Sequence, residues 1–324
     1  MDDILGSMHR RINALGLDLS GLTVITEAAT GFYSCTASIA AMAGAAHVHA
    51  VARDTRRYGT FEDAASATLS LAKAAGVADR VTVSRAVEPR MLTECDILTN
   101  SGHLRPISAE MIAHLPDHAV IALMFEAWEF RDADLDLLAC RKRGIRVAGV
   151  NERHPQVGVF PFLGPLCVRL LSDAGLALRG ARISLLCDNP FAPFIEQGLT
   201  RAGASVAINP SERDRVDQEP DAVVVALDPS RNSPLAEKEL SALAGSGREV
   251  LLAQFWGDVD REAARHVWPG PVWPPSAPPQ GHMAVLLSEL GHEPVVRLQA
   301  GGLRAAEIVA RGGVLADGGV AELI

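Results

Sequence analysis

Aromatic side chains are scarce: Phe, Trp and Tyr together make up only 5% of the 324 residues. Packed cores must then be built from Ala, Val, Leu and Ile, the usual material of parallel sheets flanked by helices. Cysteine is equally sparse. Cys35, Cys95, Cys140, Cys167 and Cys187 form no CxxC and lie in or beside apolar segments, which reads as reduced core thiols in a cytoplasmic protein. There is no basic stripe, and the net charge is -9. Nucleic acid and anionic membrane are therefore disfavoured as partners, because binding phosphate needs clustered Lys and Arg. No apolar run reaches the ~18 residues of a membrane span. Asp2 and Asp3 stand where a secretory leader would be basic. GxSxG, HExxH and Walker patterns are all absent. His47 and His49 share one strand face, but a metal site needs a third ligand, so no metal is expected.

What is present is ample apolar material, 48% of residues against 21% charged, in a chain long enough for two domains. Short β-branched runs at 22–28, 47–53, 80–86, 96–100, 118–124 and 145–150 read as strands. Helical spacing occupies 2–16, 34–45, 61–76, 108–115 and 132–144, with Ser108 as an N-cap and Gly144 as a stop. A long helix over 160–175 follows. Strands then restart at 181–187, 204–209, 221–227 and 249–255. The alternation predicts an α/β chain: two consecutive Rossmann-like, doubly wound parallel-sheet domains with an interdomain cleft. The domains are set at residues 1–165, flavodoxin-like, and 166–324, with the last helix packing back on the first. The proline-rich stretch 268–279 reads as a linker or as a rigid wall. The tail reads as a strand over 294–298 and a helix over 303–312.

The stretch DILTNSGHLRPISAEMIAHLPDHAVIALMFEAWEFRDADLDLLACRKRGIRVAGVNERHP, beginning at Asp96, has a distinctive order. A strand and short helix lead to LPDHAVI, then to DLDLLACRKRGIRV and a further strand. LRGARISLLC comes after the next helix. This run resembles the formate/glycerate dehydrogenase-like superfamily, best known for the D-2-hydroxyacid dehydrogenases, over roughly residues 96–265. The resemblance implies an oxidoreductase with two similar domains, NAD or NADP in the second, a small-molecule substrate and a homodimer.

The sequence departs from that pattern at the chemistry. After ARISLLC the family has a glycine fingerprint that lets backbone approach a pyrophosphate. Here the turn is Asp188-Asn189-Pro190-Phe191-Ala192-Pro193. The ribose-holding acid of the next strand is replaced by Asn209, with Arg213 following as a candidate for a 2′-phosphate. These positions remain the candidate cofactor contacts. Where the family has its substrate-gripping Arg, the chain reads Gln254-Phe255-Trp256-Gly257, and Trp256 becomes a candidate substrate contact. His282 is the nearest candidate for the catalytic His, alongside His154 and Glu126.

Loops after first-domain strands supply further substrate candidates: Asn100, His103 and Arg105, then Glu129, Asn151 and Glu152. In open α/β sheets, ligands bind beyond the carboxyl ends of strands. A second resemblance, of residues 22–100 to class I methyltransferases, rests on LTVITEAATGFYS and HVHAVARD. It implies S-adenosylmethionine as an alternative cofactor, held by the turn at Gly31 and by Asp54, and hence a transferase. A third reading keeps the scaffold without catalysis, as a binder of a small ligand or partner. The acidic and histidine-bearing residues suit a small polar metabolite.

Overall fold

The computed structural model describes residues 2–56, 59–211, 220–244 and 249–324. The elements run α1 (Asp2–Leu15), β1 (Thr23–Glu27), α2 (Cys35–Met42), β2 (His47–Val51), α3 (Phe61–Ala74), β3 (Val81–Ser84), α4 (Pro89–Thr93), β4 (Ile97–Thr99), α5 (Ala109–His114), β5 (Val120–Ala122), α6 (Leu137–Arg143) and β6 (Arg146–Val150). They continue α7 (Leu163–Asp173), β7 (Arg182–Leu186), α8 (Ala192–Arg201), β8 (Ser205–Asn209), β9 (Ala222–Ala226), α9 (Glu237–Ala244), β10 (Leu251–Trp256), α10 (Arg261–Val267), β11 (Val272–Trp273), α11 (His292–Ala310) and β12 (Ala321–Leu323). Among the described residues, no helix is long and apolar enough to cross a membrane.

The chain divides into two units: Met1–Val159 with Gly291–Ile324, and Phe160–Leu290. The tail from Gly291 onward thus belongs to the first unit in its entirety, and the second unit ends well before the C-terminus.

The first unit is a seven-stranded sheet in the order β12-β6-β5-β4-β1-β2-β3, parallel except for β12 against β6. Read from β3, this is the 3-2-1-4-5-6 order of dinucleotide-binding sheets, not the flavodoxin-like order expected from the sequence. The second unit has the parallel order β11-β10-β9-β7-β8, and this one is flavodoxin-like. Strand order depends on which way each crossover turns, and an alternating strand–helix pattern does not encode that.

Local signals set the element ends. Ser108 Oγ accepts from the Met111 N–H, and Asp136 Oδ1 from the Ala139 N–H. Asp136 thereby starts α6 several residues later than the helical spacing from 132 suggests. Gly144 closes α6 in the left-handed region at φ 69, where a Cβ is disfavoured. Thr60 and Asp63 form a reciprocal capping box at α3. The small residues of α2 are almost all buried.

Residues 294–298, expected as a strand, lie inside α11. Pro294 stands in its first turn, where a missing N–H is tolerated. Val295, Val296, Gln299, Ala300 and Leu303 bury one helical face, so the 3.6-residue period prevails over the short β-branched run. The proline-rich stretch holds β11, a two-residue edge strand beside β10, which is where proline is compatible with a sheet.

Candidate functional site

In the first unit the strand order reverses between β1 and β4, and both strands end in polar groups. Thr99 Oγ1 donates to Thr26 Oγ1 at 2.9 Å, tying the strand ends together. Glu27 ends β1 with its carboxyl against Gly102, where any Cβ would collide with it. Burial pushes the Glu27 carboxyl up from its ordinary range, while the Arg105 charge and the His103 N–H hold it down.

The loop after β4 is built around Arg105. Its Nε donates to Asn100 Oδ1 at 3.1 Å and its Nη2 to the Asn100 carbonyl at 2.7 Å. This fixes the Asn100 amide, leaving Nδ2 buried with no hydrogen-bond partner among the described residues. Arg105 also lies 3.5 Å from Asp134 and stacks over Phe125. Arg53, just beyond β2, reaches across: its Nη2 donates to the His103 carbonyl at 2.5 Å and the Arg105 carbonyl at 3.3 Å. Its backbone N–H donates to His103 Nδ1 at 3.4 Å, which places the imidazole proton on Nε2. Burial, and then the Arg53 charge, lower the His103 pKa, so the ring is neutral near pH 7.

Arg53, His103 and Arg105, with Glu110 and His114, line a pocket of about 310 Å³ whose apolar wall includes Val51, Val87, Leu92, Leu104 and Met111. The size and mixed lining are those of a small-molecule site. The structure thus brings together Asn100, His103 and Arg105 from the sequence candidates and adds Arg53 and Glu27. Glu27 ends β1 and Arg53 lies just beyond β2, at the position where open sheets bind ligands.

The loops after β5 and β6 form a second cluster. Met124 adopts φ 67, a left-handed conformation uncommon for a non-glycine residue. Glu126 is fully buried and accepts four donors. Its Oε1 takes the Glu152 N–H at 2.7 Å and Arg153 Nε at 3.3 Å; its Oε2 takes Trp128 Nε1 at 2.9 Å and Arg153 Nη2 at 3.1 Å. Its two oxygens are therefore occupied in joining the two loops. Asn151 Oδ1 accepts from the His154 N–H, and its Nδ2 donates to the Gly319 carbonyl. His154 is half-buried, and its Nδ1 accepts from the Gln156 N–H.

Burial, and then the neighbouring Glu129 and Glu126 charges, push Glu152 well above the ordinary glutamate range. Its proton is bound more tightly folded than unfolded, so its contribution to stability is complete in acid. That contribution is lost as pH rises through the folded value, by at most ~1.4 kcal/mol per pH unit for one proton. We expect Glu152→Gln to flatten this loss: urea midpoints from pH 5 to 8 should show a variant advantage that grows with pH. Parallel curves would contradict the assignment.

The remaining candidates sit elsewhere. Gly31 needs glycine only for its φ of 60, since a Cβ there would meet open space. Asp54 accepts from the Phe61 N–H at 2.7 Å and pairs with Arg85 at 3.4 Å. In the second unit, Trp256 is buried, donates to the Gly281 carbonyl and packs on Phe191 at 5.1 Å. His282 Nδ1 lies 2.9 Å from the Gln280 carbonyl. Arg261 is bound to Gln254 Oε1 and the Pro274 carbonyl, which secures the end of β10. Arg213 lies outside the described residues. Among the described residues, no three His, Cys, Asp or Glu side chains cluster as for a metal.

A dinucleotide needs a turn whose backbone N–H groups approach a pyrophosphate, and a ribose acceptor at the end of the next strand. Among the described residues, the second unit offers neither. Pro190 in its β7–α8 turn and Pro193 in the first turn of α8 have no N–H. At the end of β8 stands Asn209, a neutral amide in place of a carboxylate, whose Nδ2 donates to Ser184 Oγ at 2.9 Å. The residues present do not fit NAD or NADP in the family's manner.

No family model matches the chain, and no curated protein matches it. Solved structures do. A dipicolinate synthase chain from Bacillus halodurans matches at TM-score 0.56 and 11% identity, covering 90% of this chain and 99% of that one. The pyruvate reductase of Chlamydomonas reinhardtii matches at 0.55 and 13%, covering 92% and 99%. The NAD+-bound 3-phosphoglycerate dehydrogenase of Entamoeba histolytica matches at 0.54 and 10%, covering 91% and 97%. Over at least 90% of its length, the chain has the fold of these three proteins.

Proposed function

We propose that the chain is a divergent enzyme of the dehydrogenase fold that acts on a small polar metabolite, held at the carboxyl edge of the first unit's sheet. The observation that carries this reading is the pocket beside Arg53, His103 and Arg105. Two guanidinium groups and a neutral imidazole there suit an acceptor-rich end, a carboxylate or carbonyl. The apolar wall suits a short carbon skeleton. His103, its pKa lowered by burial and then by the Arg53 charge, can serve there as a proton acceptor. Oxidoreduction, with a nicotinamide nucleotide as the hydride partner bound outside the β7/β9 switch point, is the reaction class the fold likeness favours, since two of the three proteins above are named as a dehydrogenase and a reductase. A homodimer belongs to the same reading and is checked by light scattering after size exclusion.

A thermal-shift panel of small oxo and hydroxy acids, with and without NADH, NADPH or S-adenosylmethionine, tests the proposal. A native-state ligand raises the Tm by mass action. We expect a hit among the small acids, and a ~10–100-fold weaker affinity for it in Arg53→Ala, the scale of one lost charge-assisted contact. A hit whose affinity is unchanged in Arg53→Ala would remove the pocket from the account. A shift with S-adenosylmethionine alone would move the chemistry to transfer.

A further inference from the structure

The second unit has its own strand-order reversal, between β7 and β9, where a sheet of this kind would take a phosphate-bearing ligand. The Asp188 carboxylate lies there. Its Oδ1 accepts from the Asp228 backbone N–H at 2.9 Å and from Asn189 Nδ2 at 3.2 Å. Its Oδ2 accepts from Asn232 Nδ2 at 2.7 Å. Asn189 also donates to the Ala226 carbonyl at 2.6 Å and accepts the Phe191 N–H at 3.1 Å. The turn after β7 is thereby bound to the end of β9. Asp228, almost wholly buried, accepts Ser230 N–H and Oγ–H on its Oδ1.

We infer that Asp188 is an internal substitute for a bound phosphate: its carboxylate takes the backbone and amide donors at the β7/β9 switch point, so this unit accepts no dinucleotide there. Three observations agree. The donors that would face an anion already have one, covalently supplied. The prolines at 190 and 193 remove two further N–H groups from the turn and the first turn of α8. A phosphate brought to this position would face the Asp188 and Asp228 charges at close range. The sequence shows an acid where glycines are missing; the structure shows that this acid takes the donors itself.

The inference does not rest on the pocket of the first unit, and its test leaves that pocket untouched. The full chain is titrated with ADP-ribose and with inorganic pyrophosphate by calorimetry and thermal shift, as wild type, Asp188→Ala and Asp188→Asn. Wild type should show no saturable heat and a Tm change under ~1 °C with either probe. Asp188→Ala, which removes the acceptor of the Asp228 N–H and one of the two acceptors of each of Asn189 Nδ2 and Asn232 Nδ2, should melt roughly 5 °C lower in anion-free buffer. It should recover part of that loss, saturably, with pyrophosphate, as the anion returns to the vacated donors. Asp188→Asn keeps one acceptor and the side-chain shape, so it should fall between the two in Tm. Wild-type binding of ADP-ribose below ~100 μM would overturn the inference. So would an Asp188→Asn protein as stable as wild type, or an Asp188→Ala protein no more responsive to pyrophosphate than wild type. If the alanine variant does not fold, the wild-type titration and the asparagine variant still decide.

Discussion

Glu126→Ala should destabilise the chain by ~3–5 kcal/mol, the scale for removing one partner of a buried, hydrogen-bonded ion pair. The substitution removes the acceptor for Trp128 Nε1, the Glu152 N–H and two Arg153 donors at once. Arg153 is partly exposed and can turn to water or to Glu322, 3.7 Å away. The Glu152 N–H, held within a buried loop, has no such escape, and an unsatisfied buried donor costs ~1–3 kcal/mol. Burial raises the Glu126 pKa, and the Arg153 charge offsets only part of that rise. Glu126→Gln retains one acceptor oxygen and should lose less than half as much. Chemical denaturation of both variants checks the ranking. A loss under ~0.5 kcal/mol for the alanine variant would show that Glu126 does not join the loops after β5 and β6.

Gly198→Val should be comparably severe, for steric reasons. In the second unit α7 and α8 cross at a pair of glycines. A Cβ on Gly164 would stand 2.7 Å from Gly198 Cα and from the Phe194 carbonyl, and a Cβ on Gly198 would overlap the Gly164 backbone. Neither obstacle is a flexible side-chain tip, so relief requires moving a helix. Overpacking of this kind costs ~1–3 kcal/mol where neighbours can shift, and more where backbone meets backbone. Loss of more than ~3 kcal/mol, with far-UV helix content retained up to the melt, is the expected outcome. A variant as stable as wild type would mean that the helices do not approach this closely.

The same pair of glycines shows where the sequence is legible and where it is not. Gly144 can be read as a helix stop because the signal is local: one residue, one backbone conformation. Ser108 is legible as a cap for the same reason. Gly164 and Gly198 meet only in three dimensions, and no spacing announces the contact. The strand–helix alternation points to two parallel sheets, yet the first sheet's strand order differs from the expected one, because crossover direction is a tertiary property. PVVRL carries a strand-like composition, but the longer period around it places it in α11.

At the candidate site, Asn100, His103 and Arg105 are visible in sequence as a polar loop after a strand. Arg53 is not, since an arginine beyond a strand end is ordinary until the structure shows it crossing to the His103 carbonyl. Glu126 reads from sequence as a possible acid or base. The structure gives each of its oxygens two donors, which is set by the Arg153 and Trp128 positions and is invisible in composition. Asp188 is recognisably unsuited to a phosphate, but the sequence does not show that it accepts the donors itself.

The central claim is that this fold binds its ligand at the carboxyl edge of the first unit's sheet, through Arg53, His103 and Arg105, and not at the β7/β9 switch point of the second. Hydrogen–deuterium exchange on the full chain, with and without the small acid that gives the largest thermal shift, tests it most directly. The account predicts slowed exchange in residues 53–55 and 100–106, with residues 187–193 and 226–232 unchanged. Protection confined to 187–193 and 226–232 would contradict it.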